Sequence, residues 1–217
     1  MTKDMILKTV EKPGRYIGGE YGEIIKDKEK MDARWAFCFP DSYEIGMSNL
    51  GMRILYGALN SLDNVGCERC YSPCVDMQQK LKENDIPLWA HESGDPLKEF
   101  DILGFSIQYE LCYTNVLNML ELAGIPLLSA ERDESYPIIM AGGPCTYNAE
   151  PIADYFDLCM IGEGEEVIDE LVTLYKEHKK RGFKKADYLH EAARTIEGIY
   201  VPSLYEVSYN EDGTIKE

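Results

Sequence analysis

Four clusters of glycine and polar residues mark places where this sequence could bind a small molecule. They are residues 41–46, 106–110, 142–146 and 162–166, and each follows a short apolar run. Glycine at such points permits a positive φ or lets a ligand approach the backbone closely. A tight turn from strand to helix can also require glycine where no ligand binds. For each cluster taken singly, a binding site and a purely structural turn therefore both stay open. The candidate ligand contacts are Asp41, Tyr43, Gly46, Ser106, Gln108, Gly142, Gly143, Thr146 and Glu163.

Three closely spaced cysteines are the second feature with chemical potential. Cys67, Cys70 and Cys74 follow the spacing Cys-x2-Cys-x3-Cys. The first two fall on a predicted strand, where residues three apart point to opposite faces. A structural zinc would need a fourth ligand, and none is close in sequence. We therefore expect no metal site in this chain and interpret the three cysteines as incidental, with a metal site as the alternative.

No residue has the sequence context of a catalytic group. His91, His178 and His190 lack a cysteine or aspartate partner at catalytic spacing, so we expect surface or structural roles for them. The sequence contains neither a serine-hydrolase nucleophile elbow nor a phosphate-binding Gly-x-x-x-x-Gly-Lys loop. We therefore predict that this chain alone does not catalyse a reaction.

Charge and composition exclude several classes of protein. The 217 residues have a formal net charge of −17, which argues against direct binding of nucleic acid. No apolar stretch reaches the length of a membrane span, and residues 1–11 do not resemble a signal peptide. With an odd number of cysteines, seven, and no export signal, the sequence predicts a cytoplasmic protein with free thiols.

Short apolar runs alternate with helical patterns along most of the chain. Such alternation predicts an α/β fold, namely a flavodoxin-like (Rossmann-like) doubly wound parallel sheet of five strands. The carboxyl ends of its strands should form the binding crevice, which brings the four clusters to one edge. The strands are predicted at residues 34–39, 67–71, 101–108, 137–141 and 158–161, and the helices at residues 50–62, 75–83, 113–120, 165–181 and 186–196.

Two flanking segments complete the predicted organisation. Residues 1–30 are polar and glycine-rich, and we interpret them as an extended arm or short hairpin before an α/β domain at residues 31–184. Residues 185–217 are predicted to form a helix and part of a hairpin, with a strong turn signal at residues 210–213. Because the sequence stops just after that turn, we expect it to be a piece of a longer protein.

The order of the clusters resembles the cobalamin-binding domain family. In that family an Asp-x-His-x-x-Gly motif, a serine loop and a Gly-Gly loop follow the first, third and fourth strands, and here Asp41, Ser106 and Gly142-Gly143 stand in those places. Residues 11–20, 101–111 and 162–165 are similar to the N-terminal cobalamin-binding-like domain of an uncharacterised group of radical S-adenosylmethionine (SAM) proteins. The resemblance covers residues 10–200 or so of the chain.

The resemblance implies a cofactor, and two residues depart from the family pattern. Tyr43 stands where the family has the histidine that ligates cobalt, and a neutral phenol is a poor substitute for imidazole. Cobalamin bound here would therefore lack a protein nitrogen on cobalt. Gln108 is larger than the usual residue and would narrow the channel for the nucleotide tail. The resembled enzymes hold a [4Fe–4S] cluster and SAM with a Cys-x3-Cys-x2-Cys motif, the reverse of the spacing here, so we expect both cofactors in a C-terminal radical domain.

Two functions are consistent with these features. In the first, the chain is the N-terminal domain of a radical SAM iron–sulfur enzyme and positions cobalamin or substrate for its own C-terminal radical domain. In the second, it is a cofactor-free docking or structural module of the same fold. A flavin domain or a phospho-receiver of the same topology is less favoured. A phospho-receiver would need an aspartate at the end of the third strand, and residues 106–108 supply none. No membrane or nucleic-acid partner is expected.

Overall fold

A six-stranded sheet forms the centre of the chain in the computed structural model, which describes residues 1–216. The strand order is β2-β1-β3-β4-β5-β6, with the first five strands parallel and β6 antiparallel at one edge. This confirms the flavodoxin-like doubly wound sheet; the sixth strand was not predicted. The strands are β1 (Ala33–Phe39), β2 (Val65–Tyr71), β3 (Ile102–Ser106), β4 (Ile138–Gly142), β5 (Leu158–Met160) and β6 (Ile199–Tyr200).

Helices cover both faces of this sheet. Side chains of the third, sixth and seventh helices pack on one face, and those of the first, fourth and fifth pack on the other. The helices are α1 (Lys3–Leu7), α2 (Tyr43–Ser48), α3 (Leu50–Ser61), α4 (Val75–Asn84), α5 (Tyr113–Leu122), α6 (Gly164–Lys180) and α7 (Lys185–Thr195). No helix within residues 1–216 is long and apolar enough to span a bilayer.

The interior strand β1 shows why the chain forms two cores. Along β1, Trp35 and Phe37 point to the face covered by α3 and α6, while Ala36 and Cys38 point to the face covered by α4 and α5. Alternation of this kind follows from the two-residue period of a strand. Because both faces are covered, β1 is apolar almost throughout and reads as a continuous hydrophobic run.

Capping residues set the helix ends close to their predicted positions. The Asn49 side chain accepts a hydrogen bond from the Met52 N–H at 2.9 Å and so caps α3. Helix α6 carries Glu165 and Glu166 in its first turn and basic side chains in its last turn, which suits the helix dipole.

The N-terminal segment is more tightly built into the fold than a hairpin arm would be. It contains α1 and two 3₁₀ turns, Pro13–Arg15 and Lys28–Lys30, and the Ile6 side chain is fully buried in the core. The Lys26 ammonium donates to the carbonyl oxygens of Asn60 (2.7 Å), in the last turn of α3, and of Val65 (2.6 Å), at the start of β2. The segment is therefore held at the sheet by burial at one end and by hydrogen bonds at the other.

At the other end of the chain the predicted turn is present without a full hairpin. Tyr209 and Ile215 form a single antiparallel bridge around residues 210–213. Residues 203–216 are exposed apart from their contacts within this turn, so they add little to the core.

Candidate functional site

The carboxyl ends of the parallel strands bring most of the predicted contacts to one edge of the sheet. Ser106 of β3 lies in register with Gly142 of β4. The Tyr109 hydroxyl donates to the Asp41 carboxylate, which joins the loop after β3 to the loop after β1. Asp41, Ser106, Gln108, Gly142 and Gly143 thus share what we call the carboxyl edge.

Close packing of the loop after β4 against the loop after β3 requires a glycine at position 143. Its φ is +96°, and a Cβ there would lie 2.8 Å from the Ile107 carbonyl oxygen. Two backbone hydrogen bonds close the same contact, from Ile107 N to Gly142 O (2.8 Å) and from Cys145 N to Ile107 O (3.2 Å). The backbone of Ile107 therefore occupies the space that a ligand would need to approach Gly143.

The polar side chains of these loops also bond within the protein. The Gln108 side-chain amide donates to the Ser106 hydroxyl at 2.8 Å. Thr146 is buried, and its hydroxyl lies 2.7 Å from Met160 O and 2.8 Å from Gly143 O. Thr146 therefore ties the loop after β4 to β5.

Two further glycines are explained by side chains that lie against them. The Tyr71 ring lies where a Cβ on Gly46 would be, and Met160 Cε is 3.2 Å from such a position on Gly142. The loop after β5 differs, because Gly162 has a φ of +127° with no atom within 4 Å of its Cβ position, and Glu163 is exposed. Of the nine candidates, Glu163 lies in the most open surroundings.

Tyr43 faces the N-terminal segment. Its hydroxyl donates to the Glu20 carboxylate, and its ring centroid lies 5.4 Å from the His91 ring and 5.5 Å from the Tyr71 ring. Burial, followed by the bond to Glu20, raises the pKa of Tyr43 to about 12. The phenol is therefore neutral at physiological pH and acts as a donor to the segment that crosses this corner.

A buried ion pair beside Tyr43 was missed from the sequence. Arg69 Nε donates to Glu92 Oε1 at 2.5 Å, and Arg69 N donates to Glu92 Oε2 at 2.6 Å. The Arg69 and Glu92 side chains are 7% and 0% exposed, and the guanidinium also lies over the Tyr56 ring. An arginine inside the predicted strand β2 was the available signal, since a buried charge requires a partner.

His91 gives the chain a testable pH dependence. Burial, together with nearby Arg69, lowers the pKa of His91 below its ordinary value of 6.5. As the pH falls through 6.5, His91 therefore binds a proton in the unfolded chain while it stays neutral in the folded chain. The free energy of unfolding decreases as the pH falls. We expect the Tm to drop between about pH 7.5 and pH 5.5 and His91→Gln to flatten this slope. Thermal melts of His190→Gln, a change at an exposed histidine, should show the same dependence of Tm on pH as the unmodified chain. Equal slopes in the two variants would contradict a role of His91 in this dependence.

The cysteines do not form a cluster. Cys67 packs on the α3 and α6 face of the sheet, whereas Cys70 packs on the α4 and α5 face, which confirms the prediction that they diverge. Cys74 is half-buried just before α4, with Arg15 Nη1 at 2.7 Å from its sulfur. Within residues 1–216, no three histidine, cysteine or acidic side chains are grouped as metal ligands would be.

The carboxyl edge does not fit a cobalamin channel in this arrangement. The Tyr71 ring fills the space beside Gly46, and Met160 fills the space beside Gly142. The backbone of Ile107 fills the space beside Gly143. Leu55 and Met160 likewise lie within 3.4 Å of a Cβ position on Gly164, where α6 approaches α3. Within residues 1–216, side chains or backbone therefore occupy the space beside these four glycines.

Exposed apolar side chains surround this edge instead. Each of the loops after β1, β2, β3 and β4 carries at least one, and Leu111 and Tyr147 are 86% and 74% exposed. Large exposed apolar patches mark interaction sites, and these side chains all follow strands at the same edge of the sheet. We call the following set the apolar ring: Ile45, Leu50, Val75, Tyr109, Leu111 and Tyr147.

Comparison with known proteins assigns the chain to a family. Residues 51–202 match the family described as radical SAM proteins, N-terminal. The chain belongs to this family. The match runs from α3 to just past β6, so this radical SAM N-terminal region includes five of the six strands and the loops after β2, β3, β4 and β5.

One curated relative matches over most of the chain. It is an uncharacterised protein of Methanocaldococcus jannaschii, 23% identical over 190 residues, which are 83% of this chain and 37% of that protein. The radical SAM N-terminal chain therefore spans a little over a third of the length of this relative. No solved structure gives a significant match.

Proposed function

We propose that this chain is the docking module of a radical SAM iron–sulfur enzyme and that its carboxyl edge packs against the catalytic radical domain. The observation that carries the proposal is the apolar ring, which follows four successive strands at a single edge. Family membership supports the radical domain of the same protein as the partner in this proposal. In this proposal the edge forms one wall of the substrate chamber, and the [4Fe–4S] cluster and SAM belong to the partner domain.

The charge of the edge fits a partner that is both apolar and basic. Glu110 and Glu163 lie in the segments that follow β3 and β5, and Glu165 and Glu166 lie in the first turn of α6. All four are exposed and form no ion pair with the described residues. A basic surface would complement them and steer association. The seven free thiols suit the cytoplasm, the compartment predicted from the sequence.

Docking predicts a difference between matched surface variants. Leu111→Asp places a charge on the most exposed side chain of the apolar ring, whereas Leu128→Asp places one on an exposed leucine outside it. In the protein that carries both domains, we expect Leu111→Asp to speed amide exchange at residues 106–111 and 143–147 and to reduce SAM cleavage. Leu128→Asp should change neither. Equal exchange at these amides with and without the radical domain would contradict docking.

Cobalamin binding is the competing proposal, supported by the order of the loops and by the open surroundings of Glu163. Purified chain mixed with hydroxocobalamin and then desalted gives a direct answer in the visible spectrum. The docking proposal predicts that no chromophore is retained at micromolar protein. Retention of one equivalent, lost in a Gly162→Trp variant, would favour the cobalamin-positioning function.

A further inference from the structure

A cleft of about 380 Å³ at the amino-terminal edge of the sheet contains an unbalanced set of buried charges. It lies between the loop before β4, the start of α7 and the segment after β6. Arg132, Asp157 and Lys185 line its inner part, with side chains that are 0%, 3% and 8% exposed. Two cations therefore share one carboxylate in a region almost closed to water.

Arg132 is fixed in place but incompletely satisfied. Its Nη1 donates to Pro126 O (3.0 Å) and Leu127 O (2.9 Å), and its Nη2 donates to Tyr155 O (2.9 Å). Its Nε has no hydrogen-bond partner although it is buried. A buried donor without a partner costs the free energy of its desolvation.

Asp157 cannot neutralise both cations. Its Oδ2 accepts from Ile139 N at 2.7 Å, and its Oδ1 lies 3.4 Å from Arg132 Nη2 and 3.8 Å from Lys185 Nζ. The remaining oxygen near Lys185 Nζ is the Arg132 carbonyl at 3.5 Å. Lys185 has three donors and only these long contacts, and its burial lowers its pKa.

The geometry points to a small oxyanion, a carboxylate or a phosphate group, as the ligand of this cleft, with Lys185 as its principal contact. Helix α7 begins at Lys185, and no side chain of residues 1–216 caps its N-terminus. The first backbone N–H groups of α7 are therefore free, and they lie with the positive end of the helix dipole at this cleft. The anion would supply the missing negative charge and acceptors for Lys185.

The mouth of the cleft limits which anions can enter. Asp133 and Glu134 line it and are exposed. Their charges are screened by solvent, but they oppose a polyanion more strongly than a small monoanion or dianion. The cleft is therefore suited to a single acidic group and not to nucleic acid. This inference is independent of the docking function, because the cleft lies at the opposite edge of the sheet.

Thermal unfolding in matched salts tests the assignment. We expect acetate or phosphate, compared with chloride at equal ionic strength, to raise the Tm in proportion to the logarithm of anion concentration. Comparing the two anions identifies which group is preferred. Lys185→Met should abolish the anion response without lowering the Tm in chloride, because it removes the excess buried positive charge and leaves Asp157 paired with Arg132. Lys184→Met, a change at the exposed neighbour, should retain the response.

A second variant tests the mouth without touching the buried charges. Asp133→Asn with Glu134→Gln changes two exposed side chains, and we expect it to strengthen anion binding by a factor of about ten. The proposal is overturned if neither anion shifts the Tm relative to chloride. It is also overturned if Lys185→Met keeps the full response, or if the mouth variant leaves the affinity unchanged.

Discussion

Arg69→Met is expected to destabilise the chain by about 3–5 kcal/mol, because it leaves the Glu92 carboxylate buried without its partner. Glu92 is completely buried, and Arg69 supplies two of its hydrogen bonds, one from the side chain and one from the backbone. Only the backbone bond survives the substitution. Equilibrium unfolding in urea measures the loss, and the midpoint should fall without a change in the denaturant slope.

Two controls separate the loss of the pair from the loss of bulk. Arg34 on the neighbouring strand pairs with Glu68 and Asp95 but is 14% exposed, so Arg34→Met should cost less than Arg69→Met. The double variant Arg69→Met with Glu92→Gln should recover much of the lost stability, since no buried charge remains. Equal destabilisation by Arg69→Met and by the double variant would show that packing, and not charge, is at stake.

The Arg69→Met deficit should also depend on pH. Burial already raises the pKa of Glu92 in the native chain, although Arg69 opposes the shift. Without Arg69 the folded-state pKa rises further, so the folded protein binds a proton more tightly than the unfolded protein does. Stability is then regained as the pH falls toward the unfolded pKa of Glu92 and is lost as the pH rises through the folded value. Urea titrations at several pH values should show a larger recovery in Arg69→Met than in the unmodified chain.

Gly143→Ala is the second substitution with a large expected effect. A side chain at φ +96° costs about 1–3 kcal/mol by itself, and here the new methyl also meets the Ile107 carbonyl oxygen at 2.8 Å. Because that oxygen belongs to the backbone, relief requires the loops after β3 and β4 to separate. We expect Gly143→Ala to lower stability and to weaken the register between Ser106 and Gly142, which amide exchange at residues 106–108 would report.

Gly162→Ala provides the matched control for that experiment. Gly162 also has a positive φ, +127°, but no atom lies within 4 Å of its Cβ position. It therefore carries the conformational cost without the collision. Gly143→Ala should be the more destabilising of the two in urea, and equal losses would mean that the contact with Ile107 adds nothing.

Much of the fold was predictable because its signals are local. The apolar runs of β1, β3 and β4 and the helical pattern of α6 each depend on neighbouring residues, and all four elements were predicted close to their observed bounds. Strand β6 has only two residues, and its pairing with β5 depends on a distant part of the chain. Helix α1 was missed because it has only five residues, of which Ile6 alone is buried.

The position of the candidate site could be predicted from the sequence, but what occupies the space between its loops could not. Sequence order placed Asp41, Ser106 and Gly142 at one edge, as strand pairing confirms. What fills the space between such loops depends on side chains remote in sequence, such as Tyr71 against Gly46 and Met160 against Gly142. The Arg69–Glu92 pair joins a strand to a loop 23 residues later, so the partner of Arg69 could not be chosen from spacing alone.

The position of β1 affects how a stable fragment of this protein should be cut. Sequence matching to the family begins at residue 51, inside α3, yet β1 ends at Phe39 and pairs with both β2 and β3. A fragment cut at the family limit would remove a middle strand and leave two former neighbours with unpaired backbone groups. Such exposed edges promote aggregation. Expression trials should therefore begin at residue 1, since the recognisable family segment is shorter than the unit that folds.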